Sequence, residues 1–91
     1  MFGGIWEYEI GFTHKALKQI KDLDRNTQTK IKAAVEKLRR VPPQADIKKL
    51  KGVDGTVYRL REGNWRVLFE YEHIKRMVIV TGIYHRKEAY Q

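Results

Sequence analysis

The sequence predicts an α+β domain of order βααβββ, two helices packed on a mostly antiparallel four-stranded sheet. Three observations lead there. Apolar residues alternate with period two near the start, two successive stripes of helical period follow, and three β-rich runs fill the second half. Length agrees, since 91 residues predict a single domain over 1–91 and a second would need roughly 50 more.

The first strand rests on Trp6, Tyr8, Ile10 and Phe12, which alternate with Glu7, Glu9 and Gly11 as in a half-buried strand. Met1 to Gly4 read as a loose leader. Thr13 is placed to cap a helix whose Ala16, Leu17, Ile20 and Leu23 form one stripe. Asp24-Arg25-Asn26 interrupts that period, and a second stripe runs through Ile31, Ala34, Val35 and Leu38. Pro42-Pro43 closes it, because proline lacks the helical N–H and restricts the residue before it. Two adjacent amphipathic helices with a short connection form an αα-hairpin, and the charges on their outer faces read as solvated surface. Lys48, Lys49 and Lys51 surround Leu50, and Gly52 to Gly55 supply turn chemistry. Val57–Arg61, Trp65–Glu72 and Met77–Tyr84 then complete the sheet.

Composition narrows the function classes. Nineteen Lys and Arg against eleven Asp and Glu give a formal charge of +8, and apolar residues make up 42%. That apolar content is too high for a disordered basic tail. The absence of cysteine excludes disulfides and thiolate metal sites and suits a reducing compartment, the cytoplasm. No apolar run approaches the roughly 18 residues of a membrane span, and no signal peptide is expected. Excess positive charge on a compact domain points to a polyanionic partner.

The hairpin between the second and third strands concentrates that charge. Gly63-Asn64 is a two-residue loop of I′ or II′ type. Pairing Glu62 with Trp65 sets Arg61 opposite Arg66, Leu60 opposite Val67 and Tyr58 opposite Phe69. Cross-strand partners share a face, so Tyr58, Leu60, Val67 and Phe69 form a core surface. Arg59, Arg61 and Arg66 then fall on the other face. Guanidiniums about 5–8 Å apart repel, and the pattern offers no set of carboxylates beside them; Glu70 lies two pairs away. A phosphate-binding surface explains the cluster, since each guanidinium can fork onto two phosphate oxygens. An ordinary solvent-facing sheet with a charge bias is the plainer alternative.

The C-terminus adds Tyr84-His85-Arg86-Lys87-Glu88-Ala89-Tyr90, in which a His, an Arg and a Tyr follow the last strand and are expected at the sheet's edge beside the arginines. His14, His73 and His85 are far apart and lack the spacing of a metal site. A glycine-rich phosphate loop is missing, and the chain has no serine. Nucleotide hydrolysis by a P-loop and acyl transfer by a serine elbow are therefore unsupported, and no cofactor is implied.

These residues together resemble the RelE/ParE superfamily of toxin–antitoxin toxins, and within it the RelE-like branch. The resemblance covers about residues 6–91 and rests on an ordered set of short matches. They are Phe12-Thr13 before Ala16-Leu17-Lys18, Leu23-Asp24, Lys49-Leu50-Lys51-Gly52, Tyr58-Arg59-Leu60-Arg61, Trp65-Arg66-Val67-Leu68-Phe69 and His85-Arg86-Lys87-Glu88-Ala89-Tyr90. It implies a ribosome-dependent mRNA endoribonuclease that works in the ribosomal A site without metal. In such enzymes the ribose 2′-OH attacks the adjacent phosphate and leaves a 2′,3′-cyclic phosphate. The basic second-strand positions match Arg59 and Arg61, the phosphorane-steadying arginine matches Arg66, the arginine after the last strand matches Arg86, and the terminal tyrosine matches Tyr90. Lys48, Lys49 and Lys51 would grip ribosomal RNA. A cognate antitoxin would cover the site, and contact with operator DNA would belong mainly to that complex.

One departure bears on the mechanism. RelE-like enzymes often carry lysines on the second strand, whereas arginine stays protonated in proteins. Arg61 can stabilise negative charge but is unsuited to general-base work. Proton transfer is left to His85, of the residue type that titrates near neutrality, or to Tyr90. Two other functions remain open: a ParE-like DNA gyrase inhibitor without nuclease activity, and a non-catalytic RNA-binding module.

Overall fold

The computed structural model describes residues 6–50 and 57–89, with Trp6, Glu88 and Ala89 described by backbone alone. Its elements are β1 (Trp6–Glu7), β2 (Glu9–Phe12), α1 (His14–Lys21), α2 (Arg25–Glu36) and a 3-10 turn (Lys37–Arg39). There follow β3 (Arg40–Val41), β4 (Ile47–Lys49), β5 (Val57–Glu62), β6 (Trp65–Glu72), β7 (Met77–His85) and α3 (Arg86–Ala89). The main sheet runs β2-β7-β6-β5-β4; β2 lies parallel to β7 and every other pairing is antiparallel. Two helices thus pack on a mostly antiparallel sheet, but that sheet has five strands rather than four.

The fifth strand is β4, which pairs with β5 along Ile47–Lys49. Three residues are too few to show a period, so this stretch reads as loop until its partner is known. The N-terminal alternation also divides. Trp6–Glu7 forms a separate two-stranded ribbon with β3, and only Glu9–Phe12 joins the main sheet. The expected leader Met1–Gly4 and the turn at Gly52–Gly55 lie outside the described residues.

Local chemistry sets the helix ends. Thr13 Oγ1 accepts the Ala16 N–H at 3.1 Å and starts α1. Asp24, placed where the helical period breaks, caps α2: its carboxylate accepts the Thr27 N–H at 3.2 Å and the Thr27 hydroxyl at 2.6 Å. Those bonds, the hydroxyl's first, hold the Asp24 carboxyl below its ordinary value. α2 tightens into the 3-10 turn and leaves through β3, so helix ends before Pro42-Pro43 are reached.

The core lies between the helices and one face of the sheet. Ala16, Ile20, Ile31, Ala34, Val35 and Leu38 pack against Leu60, Val67, Phe69, Val78, Val80 and Ile83. Val80 and Ile83 are three apart, yet both are buried. A β-bulge reconciles them: Leu68 pairs with Gly82 but Phe69 pairs with Val80, which leaves Thr81 as an extra residue on β7. The Thr81 hydroxyl donates to the Leu68 carbonyl at 3.3 Å across the bulge. Past it the faces of β7 exchange, so Gly82 and Tyr84 lie on the face away from the helices. β2 stops at Phe12, opposite Val80, and Gln19 Oε1 of α1 then accepts the Ile83 N–H at 2.8 Å, covering a strand edge that would otherwise be open.

Candidate functional site: an arginine face on the open side of the sheet

The β5–β6 hairpin has the register that its turn residues predict. Arg61 faces Arg66, Leu60 faces Val67 and Tyr58 faces Phe69. Gly63 takes φ 57° while Asn64 does not enter positive φ, as a II′ turn with glycine first requires. Because Arg61 pairs with Arg66, Arg66 with Tyr84, Arg59 with Leu68 and Lys48 with Arg59, all six side chains belong to the open face. Lys48, Arg59, Arg61 and Arg66 are gathered there as a cationic cluster.

Two features of that cluster differ from the expectation. The first is a carboxylate. Asp46 Oδ2 pairs with Arg61 Nε at 2.7 Å, and Asp46 Oδ1 with Arg59 Nη2 at 3.3 Å. The Arg61 N–H also donates to the Asp46 carbonyl at 2.9 Å, so backbone pairing carries Asp46 to the arginines. Sequence reading missed it because 13 and 15 residues separate Asp46 from its partners, and β4 is too short to announce itself. Among the described residues one carboxylate, Asp46, is paired with these four cations, and Glu70 lies further along the same face, so the cluster stays positive.

The second is burial. Arg66 faces away from the apolar core as expected, but it is 6% exposed rather than open to solvent. Its Nη1 donates to the carbonyls of Gly63 at 2.9 Å and Trp65 at 3.0 Å, tying the guanidinium to the hairpin turn. The Nε atoms of Arg59 and Arg66 are buried without a hydrogen-bond partner among the described residues. A buried donor left unmet costs about 1–3 kcal/mol, and neither Nε is open to solvent, so an oxygen acceptor could reach them only if these side chains moved.

The remaining candidates divide. Lys49 is paired with Tyr58 and belongs to the helix face, opposite Lys48; both sit on a strand rather than the expected loop, and strand alternation separates them. Lys51 and Tyr90 lie outside the described residues. Arg86 is exposed at the start of α3, and its N–H donates to the Asn64 carbonyl at 2.7 Å, which brings it beside the hairpin turn. His85 ends β7 opposite Trp65, with the two rings edge to face at 5.3 Å. It therefore lies on the Trp65 face, not on the face of Arg66 and Tyr84. The Lys87 N–H reaches His85 Nδ1 at 3.3 Å, which makes Nδ1 the acceptor and leaves the ring proton on Nε2. Among the described residues no three His, Cys, Asp or Glu side chains are gathered as a metal ion would require. Among the described residues no helix is long and apolar enough to cross a membrane.

Comparison with known proteins agrees with this architecture. The family described as ParE toxin of type II toxin-antitoxin system, parDE, matches residues 10–90. This chain belongs to the RelE/ParE superfamily of type II toxins. Within the superfamily, the RelE1 protein of Methanocaldococcus jannaschii is 34% identical over 88 residues, covering 93% of this chain and 97% of that protein. The toxin fold recurs in the RelB-RelE antitoxin-toxin complex from Methanococcus jannaschii (28% identity, TM-score 0.70, 88% of this chain and 94% of that one). It recurs again in the toxin-antitoxin complex RelBE2 from Mycobacterium tuberculosis (22%, TM-score 0.75, 88% and 99%), where the likeness is one of fold.

Proposed function

We propose that this RelE/ParE-superfamily chain is a ribosome-dependent mRNA endoribonuclease, the toxin of a type II toxin–antitoxin pair acting in the cytoplasm. The observation that carries the reading is the arginine face itself. Arg59, Arg61 and Arg66 belong to one face of the sheet, and among the described residues a single carboxylate, Asp46, pairs with two of them. Such donors suit a phosphorane, whose charge grows as the reaction proceeds.

In the reaction the ribose 2′-oxygen bonds to phosphorus as the bond to the 5′-oxygen breaks, giving a 2′,3′-cyclic phosphate and a 5′-OH. Arg61 and Arg59 bind the scissile phosphate in place of Asp46, Arg66 stabilises the phosphorane, and Arg86 approaches from the start of α3. One proton leaves the 2′-OH and one reaches the 5′-oxygen. These transfers fall to Tyr90, or to His85 if the RNA turns past the end of the sheet to the Trp65 face where that ring lies, because the arginines hold their protons. No metal or cofactor enters. Lys48, with Lys49 and Lys51, contributes salt-dependent contacts to ribosomal RNA. A cognate antitoxin would neutralise this face, and operator DNA would be bound by the toxin–antitoxin complex.

A second reading has its own support: the matching family is described by its ParE toxin, and a ParE-like gyrase inhibitor would cleave nothing. One experiment separates the two. Purified protein is added to a translating extract containing EDTA, mRNA 5′ ends are mapped, and gyrase–DNA complexes are assayed in parallel. Codon-phased cuts with cyclic-phosphate ends are expected. Intact mRNA beside trapped gyrase–DNA complexes would overturn the nuclease in favour of the second reading, and neither signal would leave a binding module.

A further inference from the structure

Tyr84 is a large aromatic side chain outside both the hydrophobic core and the aromatic contacts of the helix face. Past the β7 bulge it stands in register with Arg66, which stands in register with Arg61. The order across three strands is therefore guanidinium, guanidinium, phenol. The ring lies over Gly82: a Cβ built there would meet Tyr84 Cε2 at 2.6 Å and its hydroxyl oxygen at 2.9 Å. Only glycine lets the ring rest this low on the sheet. Lys15 of α1 holds its Nζ 5.5 Å over the ring centroid, a cation–π contact between half-exposed and exposed groups that is worth little in water and easily exchanged.

We propose that Tyr84 is a stacking platform for a nucleobase of single-stranded RNA. The base would belong to the nucleotide whose phosphate lies on Arg61 and Arg66. The inference rests on the nuclease reading, and it adds a specificity-determining residue. Adjacent strands are about 4.8 Å apart, but the Arg66 guanidinium turns to the Gly63 and Trp65 carbonyls while the Tyr84 ring turns back over Gly82, opposite Leu68. Ring and guanidinium therefore stand further apart than one strand spacing, and a nucleotide, phosphate to base, would bridge them. A base entering over Tyr84 displaces Lys15, whose flexible stem lets the ammonium turn to the next phosphate. Stacking is tolerant of sequence because every base has a π-face, so the platform would favour larger bases without reading their edges.

The test uses a 2′-O-methyl RNA hexamer, which cannot be cleaved, and the same hexamer carrying one abasic position. Binding is followed by fluorescence anisotropy. Tyr84→Leu is expected to weaken binding of the intact hexamer roughly 5- to 150-fold and to leave the abasic hexamer almost unaffected. Tyr84→Phe should restore the wild-type pattern. Gly82→Ala, which drives the ring off the sheet while keeping the tyrosine, should mimic Tyr84→Leu and serves if that variant fails to fold. Equal losses on both hexamers would overturn the platform and make Tyr84 structural. Unchanged RNA binding with lost binding of a co-expressed antitoxin would instead make it a protein-contact residue. If the wild-type protein binds neither hexamer and cuts no mRNA, the nuclease reading itself fails, which is a distinct result from a Tyr84 variant that matches a binding-competent wild type.

Discussion

Asp46→Asn should strengthen RNA binding, although it removes two ion pairs. The carboxylate touches Arg61 Nε at 2.7 Å and Arg59 Nη2 at 3.3 Å, so it occupies the place where a phosphate would approach. A phosphate held by the same arginines would sit about 5 Å from it, and that repulsion is about 3 kcal/mol at an effective dielectric of 20 and about 1 kcal/mol in water. Asp46 and Arg61 have side chains 47% and 55% exposed, which places the true value near the lower figure. Loosening Arg59 and Arg61 in the free protein offsets a few tenths of that. The net expectation is a gain of about 3- to 5-fold in affinity at low salt. It should fade as salt rises, because the screening length falls from about 10 Å at 0.1 M to about 3 Å at 1 M. Folding stability should fall by about 1 kcal/mol, since the Arg61 pair is half-exposed and contributes little, while the Arg59 side chain, 13% exposed, loses a less screened partner at 3.3 Å. The assay is anisotropy of a non-cleavable RNA hexamer from 0.05 to 0.5 M salt, with thermal melting as the control. A weaker complex at low salt would falsify the displacement argument and make Asp46 an organiser of the arginines rather than their competitor.

Two further outcomes follow from local geometry. Gly63→Ala places a Cβ at φ 57° where nothing lies within 4 Å, so its cost is backbone strain alone, about 1 kcal/mol. Melting should show it, and an unchanged midpoint would mean that the turn carries no such strain. Tyr71 is half-buried, and burial first, then the phenols of Tyr58 and Tyr8, raise its hydroxyl above the ordinary value of 10.0. A raised value means that the folded state holds the proton more tightly, so this contribution to stability is complete below pH 10 and is lost as pH rises toward the raised value. Phenolate absorbance should therefore show one tyrosine ionising late, and Tyr71→Phe should flatten the loss of stability above pH 10.

How much of this was legible in the sequence depended on the range of the interactions. The helix stripes, the cap at Thr13 and the β5–β6 register follow from contacts within about four residues or across a two-residue turn, so Arg61 could be set opposite Arg66 without coordinates. The strand β4 could not be read this way, and with it went Asp46, whose partners lie 13 and 15 residues along the chain. Arg66 shows the same limit in another form: its face was predictable from strand alternation, but its burial and its bonds to the turn carbonyls were not.

The α+β order, the excess of positive charge and the gathering of three arginines on one face of a hairpin are written in the sequence, because these depend on periodicity and turn chemistry. Tertiary structure alone decided what surrounds those arginines. A single extra residue at Thr81 exchanges the faces of β7, which turns Tyr84 toward Arg66 and His85 toward Trp65. Strict alternation from Val78 and Val80 would have placed them the other way. A bulge is fixed by how two strands and the helices beneath them fill space together, and no pattern along one strand records that.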